Sequence, residues 1–180
     1  MMGGMAGKEP DYGPTAKTVA NNILRLRESQ NLTYTQVSDR LTTNGWPLTP
    51  VAVRRAEQCE RRITVDDLVA FAVALDTSPA SLMMPSATSP DDAVPVTGAV
   101  VAASAKRAWT WLSAHTPLYK ESQYMPFITR SWPAWELEKM SDVLSAAFKK
   151  GQEFAAAQIA QHQAADGPTP TTQKPDGDDK

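Results

Sequence analysis

Apolar residues recur every three or four positions through much of the first half of the chain, the spacing of one face of a helix. The residues that define these faces are Val19, Ile23, Leu26, Val37, Leu41, Val53, Ala56, Val65, Leu68, Ala72 and Leu75. They predict four helices, and Ser78-Pro79 starts a short fifth one that ends near residue 84. The pattern therefore predicts a compact all-α domain of five helices over residues 15–85.

Capping residues mark where these helices begin. Thr33 and Gln36 have the spacing of a capping box. Thr49 precedes Pro50, and proline suits the first position of a helix. Thr64 precedes a first turn with two acids, which the helix dipole favours. Between the second and third helices, TTNGWPLTP breaks the helical pattern and predicts an extended turn.

The second half has a different composition. A segment rich in Pro, Ser and Asp is typical of a linker, and a long segment rich in Ala, Glu, Lys and Gln favours one continuous helix. We expect a shorter helix over residues 98–114 and irregular structure over 115–133. The predicted organisation is a flexible arm at 1–14, the five-helix domain at 15–85, a linker at 86–97, a helical C-terminal region at 98–165 whose long helix runs from 134 to about 165, and a disordered tail at 166–180.

The long helix has an apolar face of its own. Its members, spaced three and four apart, are Leu137, Met140, Leu144, Ala147, Gly151 and Phe154. This is about two and a half heptads, which is short for a coiled coil but suits a dimer surface. The alternative is that the helix packs on its own domain, through the aromatic residues Trp109, Trp111, Trp132 and Trp135.

Composition and charge narrow the classes of function. The formal net charge is −2, so nucleic-acid binding would depend on where the basic residues lie. The single cysteine, Cys59, excludes an internal disulfide and fits a reducing compartment. With two histidines and one cysteine the chain is poorly equipped for zinc, although carboxylates could still bind harder ions. We expect no metal and no other cofactor. Since we see no signal peptide and no apolar run of about 20 residues, we expect a cytoplasmic protein that does not enter the membrane.

The third predicted helix has two chemically different faces. Val53, Ala56 and Glu57 fall on one side at helical spacing. The other side carries Val51, Arg54, Arg55 and Gln58. A helix that docks by one face and offers arginine and glutamine on the other suits the major groove of DNA. The competing interpretation is an ordinary solvated face.

Three stretches between Val19 and Pro85 carry a family resemblance. They are NILRLRESQNLTYTQVSDRL, LTPVAVRRAEQ and TVDDLVAFAVALDTSPASLMMP. Together they resemble the lambda-type repressor and Cro family of helix-turn-helix transcription regulators, also called XRE. The lengthened turn NGWPLTP is similar to a branch common in actinobacteria and their phages. The resemblance implies a five-helix DNA-binding domain whose third helix reads the major groove.

The resemblance and the chemistry together imply a set of DNA contacts. Arg55, assisted by Arg54, is the first choice for reading guanine, and Val51 suits a thymine methyl group. Pro50 departs from the family pattern, which often has a hydrogen-bonding side chain there. The complete candidate set for DNA is Tyr34, Thr35, Thr49, Val51, Arg54, Arg55, Gln58, Arg61 and Arg62. Arg61, Arg62, Tyr34 and Thr35 are expected on phosphates, although the family commonly has Gln where Tyr34 stands.

One structural pair is predicted on two grounds. Arg27 lies four residues after Ile23, and Glu57 lies four after Val53, so both charges point inward. Each would satisfy the other, and the family has an Arg–Glu pair at matching positions. The alternative is that both side chains extend into solvent. Cys59 stands where the family often has glycine; a substituted cap residue is favoured over an oxidation sensor.

These observations predict a sequence-specific regulator, most simply a repressor that occupies an operator as a homodimer on double-stranded DNA. Control of phage immunity or lysogeny is one specific case of this predicted function. An enzyme is not expected, because we find no phosphate loop or nucleophile elbow, and a self-cleaving domain is not expected in a helical C-terminal region. The alternative is an antitoxin-like module that neutralises a protein partner through its C-terminal half.

Overall fold

The computed structural model describes residues 12–119 and 123–165. These residues are mostly helical, with one two-stranded sheet. The first eleven residues of the predicted arm and the predicted tail at 166–180 lie outside the described residues. The chain divides into two compact units, with the boundary between Ser131 and Trp132. Within the described ranges, no helix combines the length and apolar character needed to cross a membrane.

Five helices form the first part of the chain. They are α1 at Pro14–Ser29, α2 at Tyr34–Thr43, α3 at Pro50–Glu57, α4 at Val65–Ala74 and α5 at Pro79–Met83. The side chains of Thr33, Thr49, Thr64 and Ser78 each accept a backbone hydrogen bond at the start of the helix that follows. The capping boxes of α2 and α4 are complete, because the side chains of Gln36 and Asp67 accept hydrogen bonds from the backbone amides of Thr33 and Thr64. Such capping satisfies amides that the helix itself leaves unpaired.

The core lies between these helices. Its buried members are Val19, Ile23, Val37, Leu41, Val53, Ala56, Phe71, Ala72, Ala74, Leu75 and Leu82. Leu26 and Leu68 pack against it, as their spacing predicts. The spacing also predicts that Val65 faces inward, but this side chain is 78% exposed. It occupies the first position of α4, and Phe71, fully buried, is the large side chain that this helix supplies to the core.

The predicted linker and the start of the predicted helix at residue 98 are wrong. The strands β1 at Ala93–Val94 and β2 at Ala103–Ser104 pair antiparallel, and α6 begins only at Ala105 and runs to Leu112. Val94 is buried in a small apolar cluster with Ala105 and Ala108, against which Met84 of the α5 end packs. Polar residues that suggested flexibility instead build tight turns.

Two sets of hydrogen bonds show how those turns are held. The Asp92 carboxylate accepts from the amides of Thr88 and Ser89, at 2.7 and 2.9 Å. Thr15 of α1 and Thr97 exchange two amide-to-hydroxyl bonds, at 3.1 and 3.0 Å. The Thr15–Thr97 bonds join the hairpin to the start of α1. The compact unit therefore extends beyond the predicted boundary at residue 85.

The remaining elements are two helices. The expectation of irregular structure over 115–133 is wrong from Tyr124, where α7 runs to Ser131; Pro126 lies in its first turn, where its missing amide costs least. The long helix α8 spans Ala134–Ala165, as the composition predicts. Trp109 and Trp135, two of the aromatic residues in the alternative packing of α8, are 44% and 63% exposed.

Candidate nucleic-acid interface

The candidate interface is centred on α3, a helix of eight residues with a buried and an exposed face. Thr49 caps it by accepting from the amide of Ala52 at 3.2 Å, and Pro50 occupies its first position. Val53, Ala56 and Glu57 are its buried residues. The opposite face exposes Val51, Arg54, Arg55 and Gln58. The structure thus keeps the four predicted contact residues of this helix together on one surface.

The segment between α2 and α3 fixes where that surface points. Gly45 adopts a positive φ of 82°, a conformation that glycine takes without strain. The amide of Trp46 then bonds back to the carbonyl of Leu41 at 2.9 Å. The hydroxyl of Ser38, within α2, donates to the carbonyl of Leu48. This turn is therefore bonded directly to α2, which limits the movement of α3.

Glu57 is neutralised by Arg27 from α1. The Arg27 guanidinium donates from Nε to Oε1 of Glu57 at 2.7 Å and from Nη2 to Oε2 at 2.9 Å, the bidentate geometry of a strong ion pair. This is the pairing expected from the sequence. The Glu57 side chain is only 1% exposed, and its hydrogen bond raises the pKa of Arg27. Consequently the acid of α3 does not weaken the positive charge of the exposed face.

Tyr34 takes part in the same arrangement. The Arg27 guanidinium lies 4.4 Å from the centre of the Tyr34 ring, within the range of a cation–π contact. Its Nη1 also donates to the carbonyl of Leu32 at 3.1 Å. The ring is half-buried and packs against the core. Tyr34 therefore has a structural task beside the predicted phosphate contact, whereas Thr35 next to it is exposed.

A second buried charge, Asp67, was not predicted as part of this region. Its carboxylate accepts from the Trp46 indole at 3.0 Å, from Nη2 of Arg61 at 2.8 Å and from the amide of Thr64 at 3.0 Å. Burial by itself raises the pKa of Asp67, but these hydrogen bonds and the Arg61 charge together hold that pKa below its ordinary value. The sequence signal was the capping-box spacing of Thr64 and Asp67.

The Asp67 contact changes the expectation for Arg61. Its side chain is 26% exposed and is held in the ion pair, and its Nη1 is buried without a hydrogen-bond partner. Arg61 thus faces Asp67 instead of extending outward, whereas Arg62 beside it is exposed. Near α3 the exposed charges are Arg54, Arg55 and Arg62 against Glu60.

Cys59 follows the C-cap of α3 with a positive φ of 55°. That conformation is the one that glycine favours after a helix, so the structure gives this cysteine the geometry of a substituted cap residue. Within residues 12–119 and 123–165, no group of three or more His, Cys, Asp or Glu is placed to hold a metal ion.

No protein-family model, curated protein or solved structure matches this chain.

Proposed function

We propose that this chain is a sequence-specific DNA-binding transcription regulator, and that α1–α5 form a helix-turn-helix domain of the lambda-repressor type. The observation that carries the proposal is the exposed face of α3. There two arginines, a valine and a glutamine stand on a helix whose opposite side is locked into the core. A rigid helix with this chemistry matches the donor and acceptor pattern of the major groove.

The proposed contacts divide into two groups. Arg55 reads guanine through O6 and N7, Arg54 assists it, and Val51 meets a thymine methyl group. Gln58 and Thr49 lie at the two ends of the same helix and complete this group. These contacts carry sequence preference.

Phosphate contacts supply affinity without sequence preference. Arg62 is proposed for this task, together with Thr35 and the first amides of α2, which have no partner within the helix. Tyr34 supports the interface indirectly, because its ring holds the Arg27 guanidinium. Arg61 is left out of the phosphate contacts, because its guanidinium is already bonded to Asp67.

In the cell the proposed action is occupation of an operator, which denies the site to RNA polymerase. One such domain reads only a few base pairs, so two copies on half-sites about one helical turn apart would supply the specificity. Phage immunity or lysogeny control is one setting for this activity. The proposal assigns the chain no catalytic step.

A second candidate is an antitoxin-like module that binds a protein partner through its C-terminal half. The observation in its favour is the exposed apolar side chains of α8, which include Phe148 and Phe154. A toxin gene next to this gene would support it, and an integrase gene would support phage control. Purification of the chain without a co-expressed partner is a second test that separates the two candidates.

The proposed function is tested by selecting bound sequences from a random pool of DNA duplexes, using the full chain. Arg55→Ala should lose about 1–3 kcal/mol of binding and relax the preference at one base position. Arg130→Ala is the matched control, because Arg130 is an exposed arginine on α7, outside the five helices of the proposed DNA-binding domain. Selection of no preferred sequence, or equal binding by the two variants, would contradict the proposal.

A further inference from the structure

The helix α8 leaves an unusual amount of apolar surface exposed. None of residues 134–159 is buried. The large apolar side chains Val143, Leu144, Phe148, Phe154 and Ile159 are each 59–70% exposed. Contiguous apolar surface on this scale is typical of an interaction site.

These side chains share one face of the helix. At 3.6 residues per turn they fall within an arc of about 160°. The same arc contains Leu137, Met140, Ala147, Gly151 and Ala155, together with the uncharged polar residues Ser141 and Gln158, whereas the opposite side carries Glu138, Lys139, Asp142, Lys149 and Glu153. We call this mainly apolar arc from Leu137 to Ile159 the α8 stripe. This separation of apolar from charged residues is typical of a helix that packs against another surface along one side.

We propose that the α8 stripe binds the α8 stripe of a second copy of this chain. In a heptad pattern, the seam of the stripe is formed by Leu137, Met140, Leu144, Ala147, Gly151 and Phe154. The positions that flank this seam are mostly uncharged: Ser141, Phe148 and Ala155 on one side, and Glu136, Val143, Lys150 and Ala157 on the other. Opposite charges border the stripe once each, at Glu136 and Lys150. Two copies can therefore meet without a row of like charges, the feature that prevents many helices from self-pairing.

The size of the stripe is sufficient for such a pair. A fully buried phenylalanine removes about 150–250 Å² from water, and each copy contributes two. With the aliphatic members, two stripes hide on the order of 1,000–1,400 Å², which reaches the roughly 1,000 Å² expected of a specific interface. The stripe spans 23 residues, or about 33 Å of helix at 1.5 Å per residue, so the contact is long and narrow like a coiled coil.

This inference rests on the proposed function, because binding to two half-sites is what requires a second copy of the chain. Its test is made without DNA, so the two can fail separately. Sedimentation velocity of the full chain up to about 100 µM should show a monomer–dimer equilibrium. Phe148→Asp and Leu144→Asp should each raise the dissociation constant by about 100-fold or more, the effect expected of a central contact residue.

Ser145→Asp is the matched control. It introduces the same acid between the two test positions but on the polar side of α8, and it should change the dissociation constant less than about threefold. Circular dichroism checks that α8 stays helical in all three variants. A chain that is monomeric throughout, or a dimer that Phe148→Asp and Leu144→Asp leave intact, would overturn the inference. Recovery only as a complex with a different protein would also overturn it.

Discussion

Breaking the Arg27–Glu57 pair should cost stability asymmetrically. Without Arg27, the Glu57 carboxylate is left 1% exposed and loses both of its guanidinium hydrogen bonds. Without Glu57, Arg27 keeps the carbonyl of Leu32 and the Tyr34 ring. Removing one partner of a buried ion pair costs about 3–5 kcal/mol. We expect Arg27→Met near the top of that range and Glu57→Gln about 1–3 kcal/mol, since glutamine keeps a neutral acceptor in place.

The assay is urea unfolding at neutral pH, followed by tryptophan fluorescence. Glu28→Gln is the matched control: Glu28 lies 3.6 Å from the same arginine, but its side chain is 63% exposed. It should cost no more than about 1 kcal/mol, as exposed ion pairs do. The double variant Arg27→Met with Glu57→Leu should recover most of the lost stability, because no unpaired charge remains. A loss of stability in Glu57→Gln as small as that in Glu28→Gln would contradict a buried Arg27–Glu57 pair. A double variant that loses the sum of the two single losses would contradict it as well.

The pKa of Asp67 is lower in the folded protein than its ordinary value of about 3.9. The ionised Asp67 carboxylate should therefore stabilise the fold at pH values above about 3.9, and this stabilisation should be lost as the pH falls through the pKa of the folded state. Thermal unfolding across that range should show Asp67→Asn less stable at neutral pH and less sensitive to acid than the wild type. Arg62→Ala should weaken binding to all DNA sequences alike and reduce the slope of log affinity against log salt by about one, measured by fluorescence anisotropy; a sequence-dependent loss would place Arg62 on bases. Val94→Ala should destabilise the first unit by roughly 1–3 kcal/mol through lost burial, whereas Val101→Ala, at a side chain 66% exposed, should be neutral. Equal effects of the two valine substitutions would show that the hairpin is not packed as described.

The sequence predicted local features well. The starts of α2, α3 and α4 follow from Thr33, Thr49 and Thr64, because a cap acts within one turn of its helix. The α8 boundaries follow from composition, since neither glycine nor proline breaks the segment decisively. Arg27 and Glu57 are 30 residues apart in the sequence. Each nevertheless lies four positions after a core residue of its own helix, and that spacing is enough to predict that it faces inward.

What the sequence did not predict depends on distant contacts. The hairpin of β1 and β2 is stabilised by Val94 in a small core and by Thr97 on Thr15, 82 residues away. Proline, serine and aspartate are common both in such turns and in flexible linkers, so composition alone does not separate the two. Arg61 shows the same limit within the candidate site. Local sequence accounts for its partner Asp67 as an acid at the start of a helix, and only the folded structure brings the two side chains together.

The most direct test of the account is a map of the DNA bound by this chain across the genome in which it acts, repeated with Arg55→Ala. We predict a small number of sites that share a two-fold symmetric sequence, and loss of those sites in the variant. Weak, sequence-independent binding should remain, because Arg62 and the α2 amides are unchanged. A wild-type chain without specific sites, or an Arg55→Ala variant that keeps the same sites, would contradict the claim that the exposed face of α3 reads DNA.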